Sequence, residues 1–195
     1  MYFSFSILGR SISIKFYNEK VISFSILIAR KPDKETYGIT SRCYGGQHVI
    51  FLDYDGLKME EIEEEIMFLI KEFHLSDFYI FENDRPDSYH AICLDKFNLY
   101  EAIDIISRTS ADKGFKIAPI LFKQKRWVLR VLPKGKRKKP KFYGIIQSAF
   151  NSLEISTAHK IFLEINYNLK IKKYKYEDGV KDFVEVCKYN TGANV

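Results

Sequence analysis

The chain has 195 residues, of which 46% are hydrophobic and 15% aromatic. It contains 31 Lys and Arg against 25 Asp and Glu, which gives a net charge of +6. This composition excludes a disordered chain. Its three cysteines are far apart and form no Cys-x-x-Cys pair, which argues against a disulfide framework and predicts a reducing, intracellular (cytoplasmic) location. The apolar stretches are too short to span a bilayer and the N-terminus lacks a basic region, so we expect no membrane partner and no signal peptide.

The N-terminal part of the chain predicts strands followed by a loop. Alternating apolar and polar residues predict strands over Tyr2–Leu8, Ile12–Tyr17 and Val21–Ile28. Proline and glycines in Arg30–Gln47 favour a loop. We therefore expect extra N-terminal strands and a loop over residues 1–45, before the core of the domain.

Residues 46–141 predict strands and helices in the order β-α-β-β-α-β. That order is typical of RRM-like and ferredoxin-like domains, in which a four-stranded antiparallel sheet carries helices on one face. The predicted fold class is therefore α+β with an RRM-like or ferredoxin-like core, and the first and third strands should be neighbours. The predicted elements in this order are strand His48–Asp55, helix Lys58–His74, strands Asp77–Glu82 and Ser88–Leu94 with a turn at Asn83–Asp87, helix Asn98–Lys113 and strand Lys116–Phe122, and one further strand, Arg126–Leu132, follows them.

The residues after the core predict a small C-terminal extension. Apolar spacing predicts a helix over Ser152–Asn166, a strand or basic edge over Leu169–Tyr176 and a short helix over Gly179–Tyr189. Tyr174 and Tyr176 lie among lysines and are candidates for stacking on nucleic-acid bases. We predict a single domain over residues 1–195, divided into 1–45, 46–141 and 142–195.

Two carboxylates end the first strand of the predicted core. Side chains alternate along a strand, so Asp53 and Asp55 project from one face. Adjacent carboxylates repel each other unless a cation lies between them, and Mg²⁺ or Mn²⁺ carrying phosphate oxygens suits such a pair. The alternative is that both acids are solvated residues of the turn before Gly56.

A Ser-x-His motif lies on the third strand of the predicted core. Ser88 and His90 share one face of that strand, and the β-α-β-β-α-β order brings it beside the acid pair. A histidine in that position can hydrogen-bond a phosphate or sugar oxygen. The alternative is a structural histidine whose hydrogen bonds are satisfied within the protein.

The positive charge is concentrated in one segment. Residues Lys123–Lys141 contain ten basic residues and no acidic one, leaving 21 basic against 25 acidic residues in the rest of the chain. Such a segment favours a phosphate backbone as partner, although a solvated charge run or a localisation signal has the same composition. The candidate nucleic-acid-binding residues are Lys123, Lys125, Arg126, Lys136, Arg137, Lys138, Lys139 and Lys141.

These motifs together resemble the archaeo-eukaryotic primase superfamily, and above all its primase-polymerase branch. The likeness rests on the order of the Asp-x-Asp strand, the Ser-x-His strand and a later arginine strand followed by Lys-Gly, within residues 46–141. It implies a template-directed nucleotidyltransferase on an RRM-like sheet that uses Mg²⁺ or Mn²⁺. The implied partners are single-stranded or primed DNA, or RNA, together with nucleoside triphosphates and a helicase or other replication protein.

The resemblance also assigns roles to single residues. It implies Asp53 and Asp55 as metal ligands that act in catalysis with His90, Ser88 and His90 as nucleotide-binding residues, and Arg130 and Lys134 near the triphosphate. The family's third motif supplies a further acid, but Lys116–Phe122 contains none. Either Asp112 or Glu164 takes its place, or the chain is a catalytically degenerate, nucleic-acid-binding replication factor.

A haloacid-dehalogenase-type phosphatase is the alternative enzyme class. Residues Phe51–Gly56 also resemble that family's first motif, in which Asp53 would be the nucleophile and Asp55 a general acid. Leu57 stands where that family has threonine, and no later Gly-Asp-x-x-x-Asp pattern is present. The alternative also requires a doubly wound sheet, with helices alternating with the strands.

Overall fold

The structure is a computed structural model, and the chain divides into two compact units that we describe separately. The first unit comprises Met1–Thr36 and Lys188–Val195, and the second comprises Tyr37–Cys187. The structure describes residues 2–7, 10–17, 23–30, 36–121, 125–134, 136–150, 154–171 and 182–189.

The first unit contains a three-stranded antiparallel sheet. Its strands are β1 (Tyr2–Ile7), β2 (Arg10–Tyr17) and β3 (Ser23–Arg30), and they are ordered β1-β2-β3. The three strands predicted from the alternating pattern are confirmed, with boundaries that differ by two residues or fewer.

The remaining elements follow in chain order. They are β4 (Thr36–Thr40), a 3-10 turn (Tyr44–Gly46), β5 (His48–Asp55), α1 (Met59–Phe73), β6 (Phe78–Glu82), β7 (Ser88–Phe97), α2 (Leu99–Ser107), α3 (Lys113–Leu121), β8 (Val128–Arg130), β9 (Lys141–Ile146), α4 (Thr157–Tyr167) and β10 (Val186–Tyr189).

The main sheet of the second unit has four antiparallel strands in the order β5-β7-β6-β9. The expected pairing of the first and third core strands is confirmed, because β5 lies beside β7. Their apolar residues form the core, and Tyr54, Phe51 and Phe81 are all buried. Every strand pair of this sheet is antiparallel, whereas the dehalogenase alternative needs a parallel, doubly wound sheet.

Helices pack on both faces of this sheet. On one face, Tyr54 donates a hydrogen bond to Glu65 of α1 at 2.8 Å. On the other face, Phe51 contacts His159 and Phe81 contacts Tyr167, both in α4. Asp53 is two residues from Phe51 and therefore projects towards the α4 side.

The prediction for the last two core strands was wrong. Lys116–Phe122 was predicted as a strand, but residues up to Leu121 belong to helix α3, which starts where Asp112 Oδ1 accepts a hydrogen bond from Phe115 N–H at 2.8 Å. The predicted strand Arg126–Leu132 is reduced to β8 and lies in a second sheet, ordered β10-β4-β8. Strand β9 occupies the place beside β6 instead.

Two further regions also differ from prediction, and one agrees with it. Residues Arg30–Gln47 were predicted as a loop but contain β4, which pairs with β8 through Ile39 and Leu129. The helix predicted over Gly179–Tyr189 was wrong, because Val186–Tyr189 is strand β10. Helix α4 confirms the helix predicted over Ser152–Asn166, with Ser156 as its cap. Residues 172–181, including Tyr174 and Tyr176, lie outside the described residues.

The chain is α+β, as predicted, while the RRM-like arrangement as a whole stays a prediction. Among the described residues, no helix is long and apolar enough to cross a membrane. Cys43, Cys93 and Cys187 are all free thiols.

Candidate functional site

The residues of the acid pair and the Ser-x-His motif meet on neighbouring strands. The register of β5 and β7 sets Asp53 opposite His90 and Asp55 opposite Ser88. Positions two apart in a strand share a face, so all four side chains project from the same side of the sheet. Nε2 of His90 lies 3.4 Å from Oδ1 of Asp53. The Ser88 hydroxyl donates to Oδ1 of Asp55 at 2.6 Å. We call these four residues the acid site.

Burial changes steeply across the acid site. The His90 side chain is buried, whereas the Asp53 and Asp55 side chains are 29% and 49% exposed. Strand β5 ends at Asp55, and the next residue, Gly56, has a φ of 78°, a conformation that glycine adopts without strain, and donates its N–H to the Asp87 carbonyl at 2.6 Å. The carboxylates therefore reach solvent while the imidazole is held by the sheet.

The turn between β6 and β7 adds two residues that the sequence did not single out. Asn83 Nδ2 donates to the Ser88 hydroxyl at 3.1 Å. The Arg85 guanidinium lies 3.8 Å from Oδ2 of Asp55, and both side chains are about half exposed. Their position just before Ser88 was the available signal, because a tight turn returns its own residues to the start of the following strand.

Arg130, predicted near the triphosphate, is buried and engaged by the protein. Its guanidinium donates to the carbonyls of Leu132 at 3.1 Å and Lys138 at 2.6 Å, and to Oδ1 of Asn83 at 3.1 Å. Asn83 in turn contacts Ser88. Arg130 therefore ties the chain after β8 to the acid site, with three of its five N–H donors used in these bonds.

The candidate nucleic-acid-binding residues are spread over several environments. Arg126 forms an ion pair of 2.7 Å with Glu185. Lys134 and Arg137 exchange backbone hydrogen bonds of 3.0 and 2.9 Å and so close a tight turn. Lys123 lies outside the described residues. The exposed residues are Lys125, Lys136, Lys138 and Lys141, and the partly buried ones are Arg137 and Lys139.

Neither acid proposed as a substitute for the third motif joins the acid pair. The backbone N–H of Asp112 donates to the Asp53 carbonyl at 2.7 Å, which brings Asp112 to the outer edge of β5. Its carboxylate, however, caps α3 through Phe115. Glu164 accepts a hydrogen bond from Ile171 N–H at 3.3 Å and forms an i,i+4 ion pair with Lys160.

The carboxylates of Asp53 and Asp55 are sufficient protein ligands for one hard divalent cation, but not for two. Within the described part of the chain, no three His, Cys, Asp or Glu side chains are placed to hold a metal together. Mg²⁺ is commonly held by one or two carboxylates, with water and substrate phosphates completing its shell. Two partly exposed carboxylates on one strand face match that requirement for one ion, whereas a second ion would need further ligands.

A second polar cluster lies between β4 and α4, and we call it the buried network. Nδ1 of His159 lies 2.7 Å from the Ser156 hydroxyl and 3.8 Å from Sγ of Cys43. Nε2 of His159 donates to the Thr40 carbonyl at 2.7 Å. Oδ2 of Asp182 lies 2.8 Å from the same Ser156 hydroxyl, whose single hydrogen serves either this carboxylate or Nδ1 of His159. These residue types resemble a catalytic triad, but Cys43, Ser156 and His159 are all buried.

The ionisation of the buried network agrees with a structural role. Burial raises the pKa of the Cys43 thiol to about 11, so sulfur stays protonated and a weak nucleophile. Burial also lowers the pKa of His159, which keeps its imidazole neutral. The network therefore fixes β4 to the start of α4.

Comparisons with protein-family models, curated proteins and solved structures find no match to this chain. The functional conclusion therefore depends on the acid site, the residues that surround it and the basic segment.

Proposed function

We propose that the chain is a divalent-metal-dependent nucleotidyltransferase of the primase-polymerase type, with an RRM-like catalytic sheet. The observation that carries this proposal is the register that sets Asp53 opposite His90 and Asp55 opposite Ser88. The Asp-x-Asp and Ser-x-His motifs are each defined by residues two positions apart in the sequence. Only the fold brings the two motifs together on one face of the sheet. That agreement between two separate motifs supports a shared ligand.

The acid site suits the phosphates of a nucleoside triphosphate. Asp53 and Asp55 would hold Mg²⁺ or Mn²⁺, which when bound neutralises phosphate charge during transfer. His90 would donate from Nε2 to a phosphate oxygen in place of Oδ1 of Asp53, from which Nε2 lies 3.4 Å, and the Ser88 hydroxyl would orient Asp55. Arg130 would act mainly through Asn83 and the backbone, with Lys134 in the turn that follows β8.

The exposed lysines of the basic segment would bind the nucleic-acid strand. Lys136 and Lys138 follow β8 and approach the turn before Ser88, where Lys138 N–H donates to Asp84 at 3.2 Å, while Lys141 opens β9 on the opposite face of the sheet. Lysines neutralise backbone phosphates without reading sequence. A template or primer held there would lie beside the acid site, as templated transfer requires.

The test is nucleotide incorporation by the full chain. Purified protein is incubated with Mn²⁺ or Mg²⁺, labelled nucleoside triphosphates and either primed or unprimed single-stranded DNA. We expect incorporation by the parent and a loss of at least roughly 100-fold in an Asp53→Asn, Asp55→Asn double variant, because removing a ligand pair removes the metal. The matched control is Asp104→Asn, which changes an exposed acid on α2 that pairs with Arg108. Equal incorporation by parent and double variant would overturn the assignment.

The second candidate is a catalytically silent module that binds nucleotide or nucleic acid. It is favoured by the lack of a third carboxylate beside the acid pair in the described residues. Nucleotide binding that requires Mn²⁺ and is lost in the double variant, without incorporation on any template, would select this candidate over the enzyme.

A further inference from the structure

Two tyrosines form an exposed aromatic surface on the side of the sheet opposite the acid site. The rings of Tyr89 on β7 and Tyr143 on β9 pack edge to face, with centroids 5.6 Å apart. Tyr143 is 54% exposed and Tyr89 is partly exposed. Because Tyr89 is next to His90 in the strand, its side chain points to the other face of the sheet from the acid site.

Strand β9 presents this surface in a regular pattern. Lys141, Tyr143 and Ile145 are exposed, whereas the residues between and after them are less so. Phe142 turns inward and contacts Phe81 at 5.8 Å. The exposed side of β9 thus offers a cation, an aromatic ring and an aliphatic side chain in succession.

A cationic cleft adjoins the tyrosines. Its volume is about 350 Å³, and it lies between the turn before β7 and the residues that lead into β9. Glu82 belongs to the cleft and is paired in register with Tyr89 on one side and Lys141 on the other, so cleft and tyrosines are continuous. The charged residues that line the cleft are Arg85, Lys138, Lys139, Lys141, Glu82 and Asp84.

The cleft also reaches the acid site. Four cations against two acids leave it net positive. Lys139 is partly engaged, since its ammonium donates to the Asn166 carbonyl at 2.7 Å and lies 4.4 Å from the Tyr167 ring centroid. Arg85 lies beside Asp55 at 3.8 Å, so one end of the cleft borders the acid site.

We propose that Tyr143 and Tyr89 form a base-stacking platform for single-stranded nucleic acid, whose phosphates lie in the adjoining cleft. Exposed aromatic rings beside lysines suit unpaired bases, because every base has a π-face and the phosphates supply the negative charge. An acidic peptide would satisfy the lysines but leave the ring faces unused. The inference rests on the nucleic-acid binding in the proposed function and adds the surface and the form of the ligand.

The test is binding of a fluorescent oligothymidylate, measured by anisotropy in EDTA and without nucleotide, so that the acid site plays no part. We expect Tyr143→Ala to weaken binding by about 5- to 150-fold, the range for loss of one stacked base. Tyr143→Phe keeps the ring and should bind like the parent. The matched control is Tyr100→Ala, which removes an 81% exposed tyrosine from α2 and should also bind like the parent.

Two further variants separate stacking from apolar contact and from charge. Tyr143→Leu keeps apolar bulk and should lose nearly as much affinity as Tyr143→Ala. Lys141→Gln should reduce the slope of log affinity against log salt by about one. Thermal unfolding followed by circular dichroism verifies that each variant is folded.

The outcomes distinguish this inference from the proposed function. If the parent does not bind the oligonucleotide, the proposed nucleic-acid binding fails and the platform fails with it. If the parent binds and Tyr143→Ala binds equally well, only the platform is overturned. Equal affinity for duplex DNA, or for polyglutamate, would also overturn the platform, since neither ligand offers an unpaired base.

Discussion

The acid site and the buried network each combine a buried serine and a buried histidine with a carboxylate, but their carboxylates differ in environment. Each contains a serine, a histidine and a carboxylate within hydrogen-bonding distance. In the acid site the two carboxylates are 29% and 49% exposed, whereas the partly exposed Asp182 of the buried network already accepts hydrogen bonds from the N–H groups of Ala158 and Phe183. Residue type and spacing therefore do not separate a reactive site from a structural one; access to a ligand does.

The largest expected effect comes from His159→Ala. The substitution leaves a cavity and removes the hydrogen bonds to Ser156 and the Thr40 carbonyl, so we expect a loss of about 4 kcal/mol in the free energy of unfolding. Urea denaturation measures it. Ile165→Ala on the exposed side of the same helix is the control and should change stability by less than about 0.5 kcal/mol. A loss below about 1 kcal/mol in His159→Ala would show that the network contributes little to the fold.

The next effect is acid sensitivity caused by His48. Burial, with a smaller contribution from Arg42, lowers the pKa of His48 to about 4. The unfolded chain binds a proton near pH 6.5, so stability is unaffected above that pH and falls as the pH drops towards 4. The expected loss between pH 7 and pH 4.5 is about 2.5 kcal/mol from this residue.

Urea denaturation of the parent and of His48→Gln at both pH values isolates this contribution. His48 packs edge to face on Trp127, and its Nδ1 lies 2.9 Å from the Ser41 hydroxyl, so the variant will be less stable at neutral pH. The quantity to compare is the change between the two pH values, which should be smaller in the variant by the amount above. An identical change in both proteins would contradict the assignment to His48.

The smallest expected effect on stability is that of Asp55→Asn. Asp55 is half exposed and its ion pair with Arg85 is long, so we expect a change of no more than about 0.5 kcal/mol, while binding of Mn²⁺ is lost. Thermal unfolding with and without Mn²⁺ measures both properties. A large loss of stability without metal would place Asp55 with the structural residues of the buried network and would remove the contrast between the two clusters.

Local patterns predicted the elements of the core but not all of their partners. The spacing of apolar residues identified α1, and the alternation that set Asp53 and Asp55 on one face also held for Ser88 and His90. A strand was predicted over Lys116–Phe122 for two reasons. A short apolar segment shows neither a helical nor a strand period clearly, and Pro119 within it argued against a helix. The segment is nevertheless helical, because the Asp112 carboxylate caps the N-terminus of α3.

Long-range pairing explains the other differences. Strand β9 contains Gly144 and follows a lysine-rich stretch, so nothing local marks it as the partner of β6. Asn83 and Arg85 joined the acid site only through the geometry of their turn. The buried network contains residues more than a hundred positions apart in the sequence, such as Cys43 and His159. The burial of these side chains, which the sequence does not reveal, distinguishes the network from a ligand-binding site.

The hydrogen bonds of Arg130 have a consequence for cooperativity. A continuous chain runs from the Lys138 carbonyl through Arg130, Asn83 and Ser88 to Asp55. A ligand that breaks or shortens a bond at one end changes the free energy of the bonds at the other. In the proposed function the chain binds both a strand and a nucleotide, and thermodynamic linkage would then require that strand binding alter nucleotide affinity by the same factor as nucleotide binding alters strand affinity.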